Sequence, residues 1–79
     1  MNKKPYFVRA EWDAEAGVWV ATSDDVPGLA TEAETVEALD AKLRVMVPEL
    51  LHANGCLPAD GAVQVELLAR RLSVTATAA

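Results

Sequence analysis

The sequence predicts an α+β domain of order β-β-β-α-β, an antiparallel sheet with one helix packed on one face. Three observations lead to this prediction: two alternating segments joined by a polar loop, a segment with apolar residues at helical spacing, and a final apolar run. A chain of 79 residues has room for a single domain. We expect its core to extend from about residue 5 to residue 74, with residues 75–79 as a flexible tail.

The first two strands are predicted to form a hairpin. Residues 6–12 and 18–23 alternate in polarity and are rich in aromatic and β-branched side chains, and Gly17 ends the loop between them. We place Trp12 opposite Val18. Because side chains alternate along a strand, this register determines the face of the sheet on which every residue of the hairpin lies.

That register places Trp19, Phe7 and Ala21 on the sheet face that the helix leaves uncovered. One helix covers only one face, and the final strand carries more apolar residues than one helix can bury. We therefore expect self-association, as a homodimer or a larger homo-oligomer, through an interface that includes Phe7, Trp19, Leu72 and Val74.

A turn, a short third strand and a helix follow the hairpin. Residues 24–28 have the Pro-Gly composition of a turn, residues 29–32 form the third strand, and Thr35 caps the helix. The apolar positions of the helix follow a 3.6-residue period: Val36, Leu39, Leu43, Met46 or Val47, Leu50 and Leu51. Pro48 lacks a backbone donor, so we expect a kink or a restart there before residues 54–55 close the helix.

The final strand, residues 62–74, changes its alternation partway. Its apolar side chains fall first at Val63, Val65 and Leu67, and then at Leu68, Leu72 and Val74. The change of phase at Leu67 and Leu68 predicts either a β-bulge or a strand that is covered on both faces.

Charge is the main clue to partners. Seven basic and twelve acidic residues give a net charge of -5, and nine carboxylates lie between Ala10 and Ala41 without a Lys or Arg. This disfavours binding to nucleic acid and favours a basic protein partner. The alternative is that the acids only keep a small protein soluble. We take the exposed aromatic Trp19 as the anchor of a partner-binding surface, and Asp24 and Asp25 as its steering charges.

Few residues support catalysis. One cysteine and one histidine, Cys56 and His52, allow neither an internal disulfide nor a structural zinc site, and no metal or other cofactor is expected. Cys56 and His52 lie four residues apart near the helix end, a spacing that could pair a nucleophile with a base. Because no third residue orients the imidazole, we expect instead a buried or half-buried thiol beside an exposed histidine. No segment has the length or polarity of a membrane span or signal peptide, which predicts a cytoplasmic protein.

A metal-dependent nuclease is an enzymatic alternative that the sequence also allows us to consider. Its carboxylates would be Glu11, Glu37 or Asp40, and Glu66. Two-metal chemistry requires convergent acids, and Glu11 is predicted to project away from the helix that carries Glu37 and Asp40. We therefore expect no enzymatic activity and no catalytic residues.

The sequence from Phe7 to Gly55 resembles the N-terminal domain of HicB-like antitoxins, and especially a small uncharacterised bacterial family allied to them. The resemblance is carried by the segments VRAEWD, GVWVATSDDVPGL, TEAET and, within the helix, VPELL. It implies a partial RNase-H-like fold without nuclease activity, homo-oligomers, and binding of a small basic RNA-cleaving toxin, HicA. HicB proteins usually add a DNA-binding domain that represses their own operon; because only residues 73–79 follow the fourth strand here, we do not expect a repressor role.

Two non-enzymatic functions follow from these observations. The first is an antitoxin-type protein-binding module that sequesters a basic toxin. The alternative is a self-assembling accessory domain with no toxin partner.

Overall fold

The computed structural model describes residues 4–77 and has the predicted α+β order. Four strands and one helix follow one another along the chain: β1 (Tyr6–Asp13), β2 (Val18–Thr22), β3 (Ala30–Ala33), α1 (Val36–Ala53) and β4 (Val65–Arg70). The strands form one sheet in the order β3-β2-β1-β4, and α1 packs on one of its faces. The predicted fold class is therefore confirmed.

The sheet is mixed. The pairs β1–β2 and β2–β3 are antiparallel, whereas β4 lies parallel to β1. A parallel neighbour needs a crossover connection, because the chain must return to the starting end of the sheet. The helix α1 and the loop after it supply that connection, which places β4 at the outer edge of the sheet beside β1.

The predicted register of the hairpin is wrong by one residue. Trp12 lies opposite Trp19, and Asp13 lies opposite Val18, so β1 is one residue longer than expected. The cause is Asp13, whose carboxylate accepts hydrogen bonds from the backbone N–H groups of Glu15 (3.0 Å) and Ala16 (3.2 Å) and closes a tighter loop. A shift of one residue turns every side chain of β2 to the opposite face.

This correction moves Trp19 and Ala21 to the face that α1 covers. Ala21 is fully buried, and Trp19 packs against the core. Of the three side chains that the sequence assigned to the uncovered face, only Phe7 lies there. We call this uncovered side the open face; its side chains are Phe7, Arg9, Glu11 and Asp13 of β1, Val18, Val20 and Thr22 of β2, Ala30 and Glu32 of β3, and Glu66, Leu68 and Arg70 of β4.

The helix α1 begins and ends at the predicted signals. The Thr35 side chain accepts a hydrogen bond from the Ala38 N–H at 3.0 Å, and Asn54 caps the carboxyl end before Gly55, whose φ is +70°. The helix continues through Pro48 without a restart. On its exposed side, Arg44 and Asp40 form an i,i+4 ion pair at 3.0 Å.

The core lies between α1 and the first three strands. The helix contributes residues at 3.6-residue spacing, and the sheet contributes small and β-branched side chains: Leu39, Leu43, Val47 and Leu51 from α1, with Val8, Ala10, Ala21 and Ala33 from the strands. Small residues on the central strands allow the helix to approach the sheet closely. Val26 and Leu29 of the β2–β3 connection complete this core.

The end of the chain departs from the prediction. The strand β4 stops at Arg70 instead of residue 74, and it pairs with β1 in one continuous register, so the predicted bulge at Leu67 and Leu68 is absent from it. Leu68 is exposed, so β4 is not covered on both faces either. Residues 71–77 are exposed and have no regular secondary structure, and residues 78–79 of the predicted tail lie outside the described part of the chain.

Candidate functional site

The connection between β2 and β3 is fastened to β1 by two side chains. The Ser23 hydroxyl donates to the Phe7 carbonyl, and one carboxylate oxygen of Asp25 accepts from the Phe7 N–H at 2.8 Å. Ser23 also accepts from the N–H groups of Asp25 (3.1 Å) and Val26 (3.2 Å). Both backbone groups of Phe7 are thus satisfied by side chains, which continues the sheet where β2 ends. We call residues 23–26 the bracket.

The far end of the same connection is fixed as well. Pro27 and Gly28 form the predicted turn: the Leu29 N–H donates to the Val26 carbonyl at 3.1 Å, and Gly28 has the positive φ of +84° that this position requires. The side chain of Asn54, at the end of α1, donates to the Pro27 carbonyl at 3.2 Å. With Val26 and Leu29 in the core, the connection is held from several sides.

Asp24 is the residue that the bracket presents to solvent. Its side chain is 97% exposed, and its nearest cationic partner in the described residues is Arg9, 3.9 Å away and itself largely exposed. An exposed pair at this distance contributes little to stability. The backbone at Asp24 is therefore held by its neighbours Ser23 and Asp25, and its exposed carboxylate is available for contact with another molecule.

The surface around Asp24 is a shallow depression lined mostly by polar and charged residues. It is lined by the bracket and by the adjoining ends of β1 and β2: Phe7, Arg9, Thr22, Ser23, Asp24 and Asp25. The Phe7 side chain is exposed on the open face. The backbone N–H group of the same residue donates a hydrogen bond to the Asp25 carboxylate. An aromatic ring and an exposed acid thus line the same depression, and aromatic residues are enriched in protein interfaces.

The structure separates Trp19 from the two acids with which the sequence grouped it. Asp24 and Asp25 follow the carboxyl end of β2, whereas Trp19 lies near the start of that strand and on the helix side of the sheet. There its ring meets that of Trp12 edge to face, with centroids 5.4 Å apart, and Arg71 stacks on the Trp12 ring at 4.4 Å. Trp19 is thus a packing residue of the hairpin, and Phe7 takes its place beside the acids.

The predicted oligomer residues fall in different places. Phe7 lies on the open face, Trp19 against the core, and Leu72 and Val74 in the segment after β4. Leu72 and Val74 are 82% and 91% exposed. Phe7 lies opposite Glu66, near the start of β4, whereas Leu72 and Val74 follow the end of that strand, so the structure does not bring the four residues into one exposed region.

The residues weighed for catalysis are not brought together. Glu11 and Glu66 lie on the open face, while Glu37 and Asp40 belong to α1 on the other side of the sheet. Within residues 4–77, no group of three or more His, Cys, Asp or Glu side chains could hold a metal ion. Cys56 is exposed, contrary to the expectation of a buried or half-buried thiol, because it follows the Asn54-Gly55 turn that ends α1.

Sequence reasoning missed Arg9 and Ser23 as members of this region. A serine directly before two acids is a signal for a side-chain turn, because its hydroxyl can accept from backbone N–H groups two or three residues ahead. The role of Arg9 depends on the hairpin register, which the sequence placed one residue away.

Comparison with known proteins identifies the family. Residues 5–76 match the model of a family described as a domain of unknown function, DUF1902, and the chain belongs to that family. The match covers every strand and the helix described above. No curated protein matches the chain.

A solved bacterial structure is similar along its whole length. It is the crystal structure of a hypothetical protein from the extremely thermophilic bacterium Thermus thermophilus. The sequences are 54% identical, the TM-score is 0.71, and the match covers 94% of this chain and 100% of the other.

Across residues 4–77, no helix has the length and apolar character needed to cross a membrane.

Proposed function

We propose that this protein is a non-enzymatic, HicB-like antitoxin-type module that binds a small basic protein in the cytoplasm. The partner class is a basic RNA-cleaving toxin of the HicA kind. Three features support the proposal: the sequence resemblance of residues 7–55 to HicB-like domains, the net charge of -5, and the presentation of Asp24. The charge favours encounter with a basic protein and selects against acidic ones.

The presentation of Asp24 is the observation that carries the proposal. Its carboxylate is exposed, yet the residues on both sides of it are bound to β1 or to the core. A charge held on an ordered loop loses little conformational freedom when a partner binds. Phe7 adds an exposed apolar ring next to it, which a partner side chain can cover.

A second candidate function is self-assembly without a toxin. It is supported by the exposed apolar side chains on and after β4, Leu68, Leu72 and Val74. The two functions differ in one observable property, because only the first requires a basic partner held by the acids of the bracket.

Affinity capture from a lysate of the source organism tests the proposal. The bait is the whole chain as wild type, as Asp24→Lys, and as Glu49→Lys, which makes the same charge change at an exposed position of α1. We expect wild type and Glu49→Lys to retain a small basic protein at about 50 mM salt and to release it as salt screens the charges. We expect Asp24→Lys to retain much less of it.

The activity of the captured protein completes the test. After release at high salt it should cleave RNA, and added wild-type protein should suppress the cleavage. The proposal fails if no basic protein is captured, if the captured protein leaves RNA intact, or if Asp24→Lys binds as well as Glu49→Lys.

A further inference from the structure

The two edges of the sheet differ in how well they are protected. At one edge, β3 is only four residues long, and the Lys42 ammonium donates to its Glu32 carbonyl at 2.6 Å. At the other edge, β4 has six residues, and nothing in the described part of the chain pairs with its outer side. It carries neither proline nor lysine, which proteins commonly use to block an exposed edge.

The backbone direction of β4 determines which residues can pair outward. The Tyr6 N–H donates to the Gln64 carbonyl at 2.7 Å, so Gln64 directs its backbone groups towards β1. Successive residues of a strand direct these groups to opposite sides. Val65, Leu67 and Ala69 therefore direct their N–H and C=O groups outward, away from β1.

The open-face side chains of β4 are self-complementary. Glu66, Leu68 and Arg70 follow one another at every second position, with Leu68 48% exposed at the centre. When an antiparallel copy of this strand is related by a two-fold axis at Leu68, each Glu66 lies opposite an Arg70. The two leucines then meet at the axis, and each end of the contact has an opposite-charge pair.

We propose that β4 pairs antiparallel with β4 of a second copy of this chain, about a two-fold axis at Leu68. Leu67 of each copy then exchanges backbone hydrogen bonds with Ala69 of the other, and both residues have their backbone groups directed outward. The two four-stranded sheets become one continuous sheet, with both helices on the same side. This inference concerns a surface separate from the bracket and holds whether or not a basic partner exists.

Charge complementarity selects this register over its neighbours. The two-fold axis must pass through a single residue, because opposed residues must match in the direction of their backbone groups. An axis at Leu67 places Glu66 opposite Leu68, and an axis at Ala69 places Leu68 opposite Arg70. Each of these registers leaves an apolar side chain against a charge and loses both ion pairs.

The same register accounts for the exposed segment after β4. Leu72 and Val74, at 82% and 91% exposure, follow Leu68 at even spacing in the sequence. Extended in line with β4, they lie opposite Gln64 and Ala62 of the second copy. Leu72 and Val74 are exposed in the single chain and would contact the second copy in the proposed dimer. The proposal thus includes two of the residues that the sequence analysis assigned to an oligomer interface.

A charge exchange tests the proposal. Glu66→Arg puts like charges opposite each other at both ends of the contact, and we expect it to weaken self-association at least about tenfold in sedimentation velocity. The double variant Glu66→Arg with Arg70→Glu restores the two attractive pairs and should dimerise like wild type. Glu37→Arg makes the same charge change on α1 and should leave the dimer unchanged.

The double variant separates lost pairing from lost folding, because it retains the first substitution. If the wild type is monomeric at about 200 µM, the proposal is overturned. At that concentration even a dimer with a Kd of about 20 µM is mostly associated. Unchanged dimerisation in Glu66→Arg, or failure of the double variant to recover it, would overturn the register.

Cross-linking provides a second, geometric test. Opposed residues at a non-hydrogen-bonded position have Cα atoms about 4.5 Å apart, within the range that a disulfide spans. In a Cys56→Ala background, Leu68→Cys should form a covalent dimer rapidly on mild oxidation. Val45→Cys, exposed on α1, is the control. Equal cross-linking by the two variants would contradict a two-fold axis at Leu68.

Discussion

At the scale of single residues, neighbouring acids in one turn perform different tasks. Asp25 is bound to the Phe7 N–H and fastens the loop, whereas Asp24 is exposed and pairs only loosely with Arg9. Ser23 makes this division possible, because its one hydroxyl donates to the Phe7 carbonyl and accepts from the N–H groups of Asp25 and Val26. Ser23 and Asp25, which are bound to β1, therefore position the exposed Asp24 between them.

We expect Ser23→Ala to lower the free energy of unfolding by about 1 to 2 kcal/mol, since it leaves the Phe7 carbonyl and two N–H groups without their partner. Urea denaturation measures this change. Ser73→Ala removes the same hydroxyl from an exposed position after β4 and should change stability by less than about 0.5 kcal/mol. Equal effects of the two substitutions would show that the bracket contributes no stability.

Arg9 competes with any basic partner for Asp24. Replacing it by glutamine removes the competing guanidinium 3.9 Å from the carboxylate, so Arg9→Gln should tighten binding of the captured basic protein about two- to fivefold. Arg44→Gln breaks the comparable Arg–Asp pair on α1 and is the matched control. Calorimetric titration of both variants measures the effect. Weaker binding of Arg9→Gln would mean that Arg9 itself contacts the partner.

At the scale of elements, α1 and the sheet hold each other through one continuous apolar interface. Leu43 lies in the middle of the helix and is fully buried against the strands. We expect Leu43→Ala to destabilise the protein by about 2 to 5 kcal/mol, because it removes buried methyl groups and leaves a cavity. Val45→Ala, two residues along on the exposed side, should cost far less. Thermal unfolding that ranks the two equally would contradict the assigned helix face.

The element order, the helix ends and the Pro-Gly turn could be predicted from the sequence because each depends on local signals. Thr35, Gly28 and Gly55 act within a few residues of themselves. The hairpin register could not be predicted in the same way. The register depends on whether Asp13 belongs to the strand or to the loop. The hydrogen bonds that the Asp13 carboxylate accepts from the N–H groups of Glu15 and Ala16 favour the observed arrangement.

One residue of register was enough to misplace the candidate site. It moved Trp19 to the helix side and left Phe7 as the aromatic neighbour of the two acids. The place of Asp24 and Asp25 in an exposed turn could be predicted from the sequence, because turn composition and exposure depend little on register. The parallel pairing of β4 with β1 has no local signal, since it depends on where α1 returns the chain.

At the scale of the whole molecule, the sheet carries two distinct surfaces. The bracket lies beyond the end of β2 and binds the start of β1, while the outer edge of β4 lies on the opposite side of β1. Phe7 and Glu66 are register neighbours, so both surfaces border the open face. The proposed contact through β4 would therefore leave Asp24 uncovered.

Binding of the basic partner to defined variants tests the central claim, that Asp24 on the bracket is the contact for a basic protein. The measurement is a calorimetric titration of the captured RNA-cleaving protein with wild type, Asp24→Lys and Glu49→Lys at low and high salt. We predict that Asp24→Lys binds at least about tenfold more weakly and loses much of the salt dependence, while Glu49→Lys binds like wild type. Equal affinity and equal salt dependence for all three proteins would contradict the claim.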